Sequence, residues 1–260
     1  MSKNVVFSFD DGRLDTYTNA YRILKQYDMP FTLNVCTDFV EHPEKYTCFQ
    51  SADNKSVSVE HLIEMQQDGV EIACHGHLHN NTKEDVLDNI AALKRMGIDV
   101  TNIGFASPNS EITLDNASDL LELVKDGTLS YIRSGIQVRR EGFLYSVLTY
   151  VERRIHSERL FGYLNKRNII TNADTPILMS VTITSSTTVE QIVKLIDKMQ
   201  DGESVILMFH SVIEDGDTGY GKDCWYFDIN RFREVCNCIK SRQDVIVCTT
   251  NDIVAKLDKL

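Results

Sequence analysis

Two carboxylates stand side by side in Ser8-Phe9-Asp10-Asp11-Gly12. The preceding Val5, Val6, Phe7 and Phe9 form the kind of short apolar run that makes a buried strand, and Gly12 permits a sharp turn directly after the acids. Adjacent carboxylates held near an interior disfavour double ionisation unless a cation neutralises one of them. The pair therefore asks for a metal. Taken alone it has a plainer explanation, because acids also cap helices, and a helical pattern starts near Leu14.

Nitrogen donors come in residues 71–79, Glu-Ile-Ala-Cys-His-Gly-His-Leu-His, a second short apolar strand followed by polar residues. His75 and His79 are four apart, so one helical turn or a tight loop points both imidazoles at one ion. Two neutral imidazoles and one carboxylate suit Zn²⁺, with a position open for water or substrate. His77, between them, reads as a structural residue or as one that braces the ligands. A third strand, Ser204 to Phe209, is almost wholly apolar and runs into His210. By itself His210 reads as a core histidine with a satisfied hydrogen bond. Beside the acids and the other imidazoles it offers an acid that titrates near neutral pH.

Ser8-Phe9-Asp10-Asp11-Gly12, His75-x-x-x-His79 and Met208-x-His210 resemble the first, second and fifth motifs of the polysaccharide deacetylases, the metal-dependent hydrolases with NodB homology. The resemblance extends through Tyr17, Ala20, Leu24, Pro30, Phe31 and Thr32 and covers the chain from Asn4 to Ile253. It implies that Asp11, His75 and His79 hold a divalent metal, with zinc the first choice. It implies that Asp10 is the general base toward the water that the metal activates, and that His210 is the acid that protonates the leaving amine.

Departures from the family pattern fall at its third and fourth motifs. Where an Arg-x-Pro-Tyr element is usual, the chain has Ala106-Ser107-Pro108-Asn109, so that Ala106 and Asn109 replace the arginine and the tyrosine. Some relatives place an arginine about twenty-five residues later, and here Ile132-Arg133-Ser134 ends another apolar run. Arg133 is thus the candidate replacement, against the alternative of a surface salt-bridge partner. No Asp/Trp fourth motif stands out. The lone Trp225, within Asp223-Cys224-Trp225-Tyr226, reads either as the wall of a substrate cleft or as an interior aromatic.

These residues need elements to gather them. Apolar runs near 4–9, 31–36, 70–74, 102–107, 129–134, 177–183, 204–209 and 244–249 read as strands. Helical stripes lie between them: Tyr17, Ala20, Tyr21 and Leu24; Val86, Ile90, Leu93 and Met96; Val189, Ile192, Val193, Ile196 and Met199. A last stripe, Phe232, Val235, Cys236 and Ile239, precedes the final strand. Strands alternating with helices give an α/β fold with a parallel sheet, here a distorted (β/α) barrel of seven or eight strands in one domain spanning 1–260. Asp10, Asp11, His75, Pro108, Arg133 and His210 all end their strands, so the barrel gathers them at its C-terminal mouth. The long connections around 38–59 and 137–175 are expected to rim that mouth.

At 260 residues, 42% hydrophobic and 25% charged, the chain is ordinary for one globular unit. Its formal net charge of -11 argues against nucleic acid and anionic membrane surfaces as main partners. Arg139-Arg140 and Arg153-Arg154 read as a solvated face. No run is long enough to span a bilayer, and the N-terminus enters the first strand without a signal-peptide core. Seven cysteines without a pairing pattern, with Cys36, Cys74 and Cys248 in apolar strands, suit a reducing cytoplasm. The expected activity is an amidohydrolase that removes an N-acyl group, acetyl above all, from an amino sugar or glycan intermediate. A hydrolase of a non-sugar amide and a silent glycan-binding module of the same fold are the alternatives.

Overall fold

The fold is seen in a computed structural model that describes residues 2–45, 55–137, 141–171 and 177–257. Seven parallel strands form a closed barrel: β1 (Lys3–Phe9), β2 (Thr32–Val35), β3 (Glu71–Cys74), β4 (Phe105–Ala106), β5 (Ile132–Gly135), β6 (Leu178–Thr182) and β7 (Ser204–Phe209). They run in sequence order, and β7 pairs back onto β1 over Asn4–Phe9 and Ser204–Phe209 to close the ring. Two short strands, β8 (Ser211–Ile213) and β9 (Tyr226–Asp228), pair with each other after β7. β10 (Val245–Val247) lies against the first half of β1, while β2 pairs only with its last two residues, Ser8 and Phe9. The eight expected strands are thus all present, seven in the barrel and one beside it.

The connections are α1 (Arg22–Tyr27), α2 (Thr37–Glu41), α3 (Val59–Gln67), α4 (Lys83–Arg95), α5 (Ser118–Lys125), α6 (Phe143–Ile155), α7 (Glu158–Leu164), α8 (Val189–Lys198), α9 (Ile229–Lys240) and α10 (Thr250–Leu257). Local chemistry sets where several begin. Thr188 and Gln191 form a reciprocal capping box at the start of α8, and Asp228 caps α9 through the Asn230 and Arg231 amides. The expected stripes face inward: Val86 and Leu93 of α4, Ile192 and Ile196 of α8, and Phe232, Val235 and Cys236 of α9 are buried. The helix after the first motif departs from a plain α-helix, opening with a wider π-helical turn over Thr16–Tyr21.

Side chains alternate across each strand, and the alternation separates two interiors. Val5, Phe7 and Phe9 point outward and pack with Phe209 and Phe232 under the helices. Val6, Tyr131, Leu178 and Ile206 face the other way and form an apolar layer with Cys248 and Ile253. In that inner set, Ser8 and Asp10 follow Val6, Arg133 follows Tyr131, and Ser180 follows Leu178. The barrel lumen is therefore apolar toward the strands' N-terminal ends and polar toward their C-terminal ends.

Of the two long connections, 38–59 contains α2 and a short turn over Pro43–Lys45, and its remainder falls partly outside the described residues. The stretch 137–175 also falls partly outside the described residues. Its described part folds into α6 and α7, stacked outside the barrel, with α7 against α8.

Candidate active site

Asp10 and Asp11 directly follow β1. The Asp10 amide donates to the Phe209 carbonyl at 3.0 Å, continuing the ladder, and the chain then turns with Asp11 at φ 78° and Gly12 at φ 81°. A left-handed aspartate is strained relative to glycine, and it persists because both of its carboxylate oxygens are engaged. Arg13 Nε donates to Asp11 Oδ2 at 2.8 Å. His75 Nε2 and His79 Nε2 face the other oxygen, Oδ1, at 3.4 and 3.6 Å. Asp11 is buried, which pushes its carboxyl up, but Arg13 and the two imidazoles outweigh burial and hold it well below the usual carboxylate range.

His75 directly follows β3, and its Nδ1 lies 2.9 Å from the Ala106 carbonyl oxygen. A carbonyl only accepts, so Nδ1 carries the hydrogen and Nε2 presents its lone pair to Asp11 Oδ1. Two acceptors that face each other in a buried space require a proton or a cation between them. In the protein alone the demand appears as basicity: burial lowers the His75 pKa, yet the Asp10 and Asp11 carboxylates raise it above the ordinary value. Asp11 Oδ1, His75 Nε2 and His79 Nε2 converge as one oxygen and two nitrogen donors, all within 4.8 Å of one another. That donor set, with its tautomer fixed by a backbone carbonyl, fits a divalent metal.

The four-residue spacing works through a loop, not a helix. Gly76 sits at φ 78° and His79 at φ 59°. Asp85, in the first turn of α4, accepts from the Leu78 and Asn80 amides at 2.8 and 3.1 Å and cradles the segment. His77 turns away from the metal donors, its Nδ1 2.9 Å from Thr37 Oγ1. Thr37 accepts in turn from Asn89, whose Oδ1 takes the His75 amide. His77 therefore braces the loop, as its alternate position implied.

Asp10 belongs to a different set of partners. Arg133 Nη2 is 2.7 Å from each of its carboxylate oxygens, and Asn34 Nδ2 donates to Oδ1 at 2.8 Å. Arg133 Nη1 rests on Ser180 Oγ at 3.0 Å. Arg133 and Ala106 are register partners on adjacent parallel strands, so an arginine on β5 enters the space that the small Ala106 leaves on β4. This removes the surface salt-bridge alternative, since Arg133 is fully buried. Burial raises the Asp10 pKa, but Arg133, with His75 and His210, lowers it further and keeps the carboxylate ionised.

His210 follows β7 and packs against Trp225, ring centroids 4.8 Å apart. Trp225 is 41% exposed, so it lies at a rim and not in the interior. The expectation that His210 titrates near neutrality is not met. Burial pulls its pKa down to about 4, overriding Asp11, and leaves a neutral ring whose buried Nδ1 has no hydrogen-bond partner among the described residues.

Sequence reasoning missed Arg13, Asp15, Asn34, Ser180 and Ser211. Arg13 Nη1 donates to Ser211 Oγ at 3.0 Å, and Ser211 Oγ donates to Asp15 Oδ2 at 3.1 Å, so Asp11 is tied through two residues to a second buried acid. The available signal was polar residues at inward strand positions, Asn34 on β2 and Ser180 on β6.

Residues 1–118 match the family model described as polysaccharide deacetylase, a span that holds Asp10, Asp11, His75 and His79 but not Arg133, His210 or Trp225. No curated protein matches the chain in sequence. Among solved structures, a family 4 acetyl xylan esterase from Clostridium thermocellum, in complex with a cobalt ion, is 16% identical with a TM-score of 0.51, over 97% of this chain and 91% of that one. The peptidoglycan deacetylase PdaC from Bacillus subtilis is 14% identical with a TM-score of 0.51, over 99% and 92%. A 4-alpha-glucanotransferase from Thermococcus litoralis, 12% identical with a TM-score of 0.57, matches 98% of this chain but 40% of its own, so the barrel alone does not name the chemistry. Residues 1–118 thus match the polysaccharide deacetylase family model, and the whole chain is built on the barrel that solved deacetylases share.

Proposed function

We propose that the protein is a metal-dependent hydrolase that removes an N-acyl group, acetyl first among them, from an amino sugar or glycan intermediate, as one catalytic unit. The observation that carries the reading is the division of labour between neighbours. Asp11 joins His75 and His79 as metal donors, while Asp10 is held apart from them by Arg133 and Asn34. A divalent cation, zinc by its donor set, would polarise the acyl oxygen and lower the pKa of water.

The chain's own residues account for the proton transfers. Asp10 is the general base: Arg133 keeps it ionised and fixes its plane, so it accepts a proton from the attacking water at a carboxylate oxygen. His210 begins neutral and must gain a proton before it hands one to the leaving amine. Trp225, beside His210 and partly exposed, offers a flat apolar wall suited to the face of a sugar ring. We place the reaction in the cytoplasm, a compartment that suits the buried, reduced cysteines Cys36, Cys74, Cys236 and Cys248.

The experiment is acetate release by the zinc-loaded protein from N-acetylated glucosamine oligomers and from O-acetylated xylan, beside Asp10→Asn. Release from the N-acetylated oligomers, falling by about a hundredfold or more in the variant while zinc binding persists, is the expected result. Release from xylan alone would move the reading to an esterase. Glycan binding with no release from either would leave a binding module.

A further inference from the structure

α6 is turned inside out relative to an ordinary surface helix. Six of its large apolar residues, Phe143, Leu144, Val147, Tyr150, Val151 and Ile155, are exposed, with Phe143 at 85% and Leu144 at 71%, while Tyr145 and Leu148 on the other side are half-buried. At 100° per residue the exposed six share one broad face. The helix's acid, Glu152, points the other way and is buried, taking a 2.6 Å hydrogen bond from Gln191 Nε2 of α8.

The charge on this element opposes that of the protein. α6 carries Arg153 and Arg154 against the single buried acid Glu152, in a chain whose net charge is -11, while Arg139 and Arg140 lie outside the described residues. Arg154 sits within the apolar face, its guanidinium 5.7 Å from the centre of the Tyr150 ring, and Arg153 flanks it. No Asp or Glu of α6 shares that face. A second copy laid on the same stripe would press Arg154 against a surface with no acid to receive it, a costly arrangement for an isologous contact. An exposed apolar stripe with aromatic residues and arginines that reach beyond it has the composition of a helix lying in a bilayer interface, its cations among anionic headgroups.

We propose that the outer face of α6 docks the protein on an anionic lipid surface. The helix lies flat in the headgroup region and spans nothing; among the described residues no helix is long and apolar enough to cross a membrane. The overall negative charge keeps the rest of the molecule off the lipid, so docking is confined to this face and sets the protein's orientation. The C-terminal end of α6 lies near the barrel mouth, where His156 Nδ1 meets the Ser186 carbonyl oxygen at 2.7 Å in the loop after β6. Docking therefore sets one edge of the mouth beside the headgroups.

The test is co-sedimentation of the full chain with phosphatidylglycerol/phosphatidylcholine vesicles and with phosphatidylcholine vesicles, at low and high salt, beside light scattering without lipid. Phe143→Ser/Tyr150→Ser/Ile155→Ser and Arg153→Glu/Arg154→Glu alter only exposed residues and keep the fold, which circular dichroism checks. Binding to anionic vesicles that weakens with salt, and falls about tenfold or more in each variant, is the expected result. Equal binding by the variants, or no binding to anionic vesicles at low salt, overturns the proposal. A dimer in solution that the serine variant dissolves would assign the face to a second copy and overturn it likewise. None of these readouts depends on activity.

Discussion

Arg133 Nη2 lies 2.7 Å from both carboxylate oxygens of Asp10, across 123 residues of sequence. Arg133 lies within β5, not at its end as expected, and the contact joins it to the end of β1 through the barrel lumen. It sets a permanent positive charge against the carboxylate that stands outside the Asp11, His75 and His79 group. β4 ends in the small Ala106, and its register partner on β5 supplies the guanidinium.

Removing that partner strands a buried charge. Arg133→Ala is expected to cost about 3–5 kcal/mol of stability, as breaking a buried pair from one side does. The Asp10 pKa, now set by burial, rises, so the acid limb of the rate profile moves to higher pH. The sign follows from the depressed folded-state pKa: the pair stabilises above the unfolded value of 3.8 and its contribution fades as pH falls through the folded one. Thermal melts between pH 3 and 7 and the pH dependence of kcat/KM test both points; an unmoved acid limb would detach Arg133 from Asp10's ionisation.

Zinc is expected to bind in about a 1:1 ratio and to raise the melting temperature, because the donors converge only in the folded chain. At a free concentration of about 100 Kd the gain is about 2.7 kcal/mol. His75→Ala/His79→Ala should abolish both effects, read by isothermal titration and thermal melts. A melting temperature indifferent to zinc in the unaltered protein would count against the site.

Gly76→Ala tests the loop that carries His79. A Cβ at residue 76 would lie 2.5 Å from Asp85 Oδ2 and 2.7 Å from the Asn80 carbonyl oxygen, at φ 78°. The expected cost is about 1–3 kcal/mol, with weaker zinc binding as the loop shifts. Calorimetry that finds zinc affinity unchanged would show that the histidines do not depend on this turn.

Asp15 gives a pH signature of opposite sign. Burial raises its carboxyl to about 6, against the pull of Arg13 and of the Val212 amide. With the folded pKa above the unfolded 3.8, the folded state binds the proton more tightly and its advantage fades as pH rises from 4 to 6. Asp15→Asn keeps the shape and discards the titration. Relative to the unaltered protein it should gain up to about 3 kcal/mol between pH 4 and 7, measured by urea unfolding. A constant difference over that range would contradict the raised pKa.

The strands were legible because the barrel's seven strands neighbour one another in sequence order and most are short apolar runs; even β10 lay where the pattern 244–249 put it. α6 was not legible as an inverted helix. Its stripe of Phe143, Val147, Tyr150 and Val151 has the periodicity of a core face, and which face turns inward depends on Gln191 taking Glu152 into a buried bond. His210 was recognisable as a strand-end histidine, yet its pKa depends on the rings and carboxylates that surround it.

The sequence by itself determined the donor types, their strand-end positions and the barrel that collects them, because strand alternation and motif spacing are local. Only the tertiary structure decided that Asp11 serves the histidines while Asp10 serves Arg133, and that Arg13, Asn34 and Asp15 belong to the same network. Adjacent residues on a strand end face opposite directions, and what each one meets is set by which distant strands the barrel brings alongside.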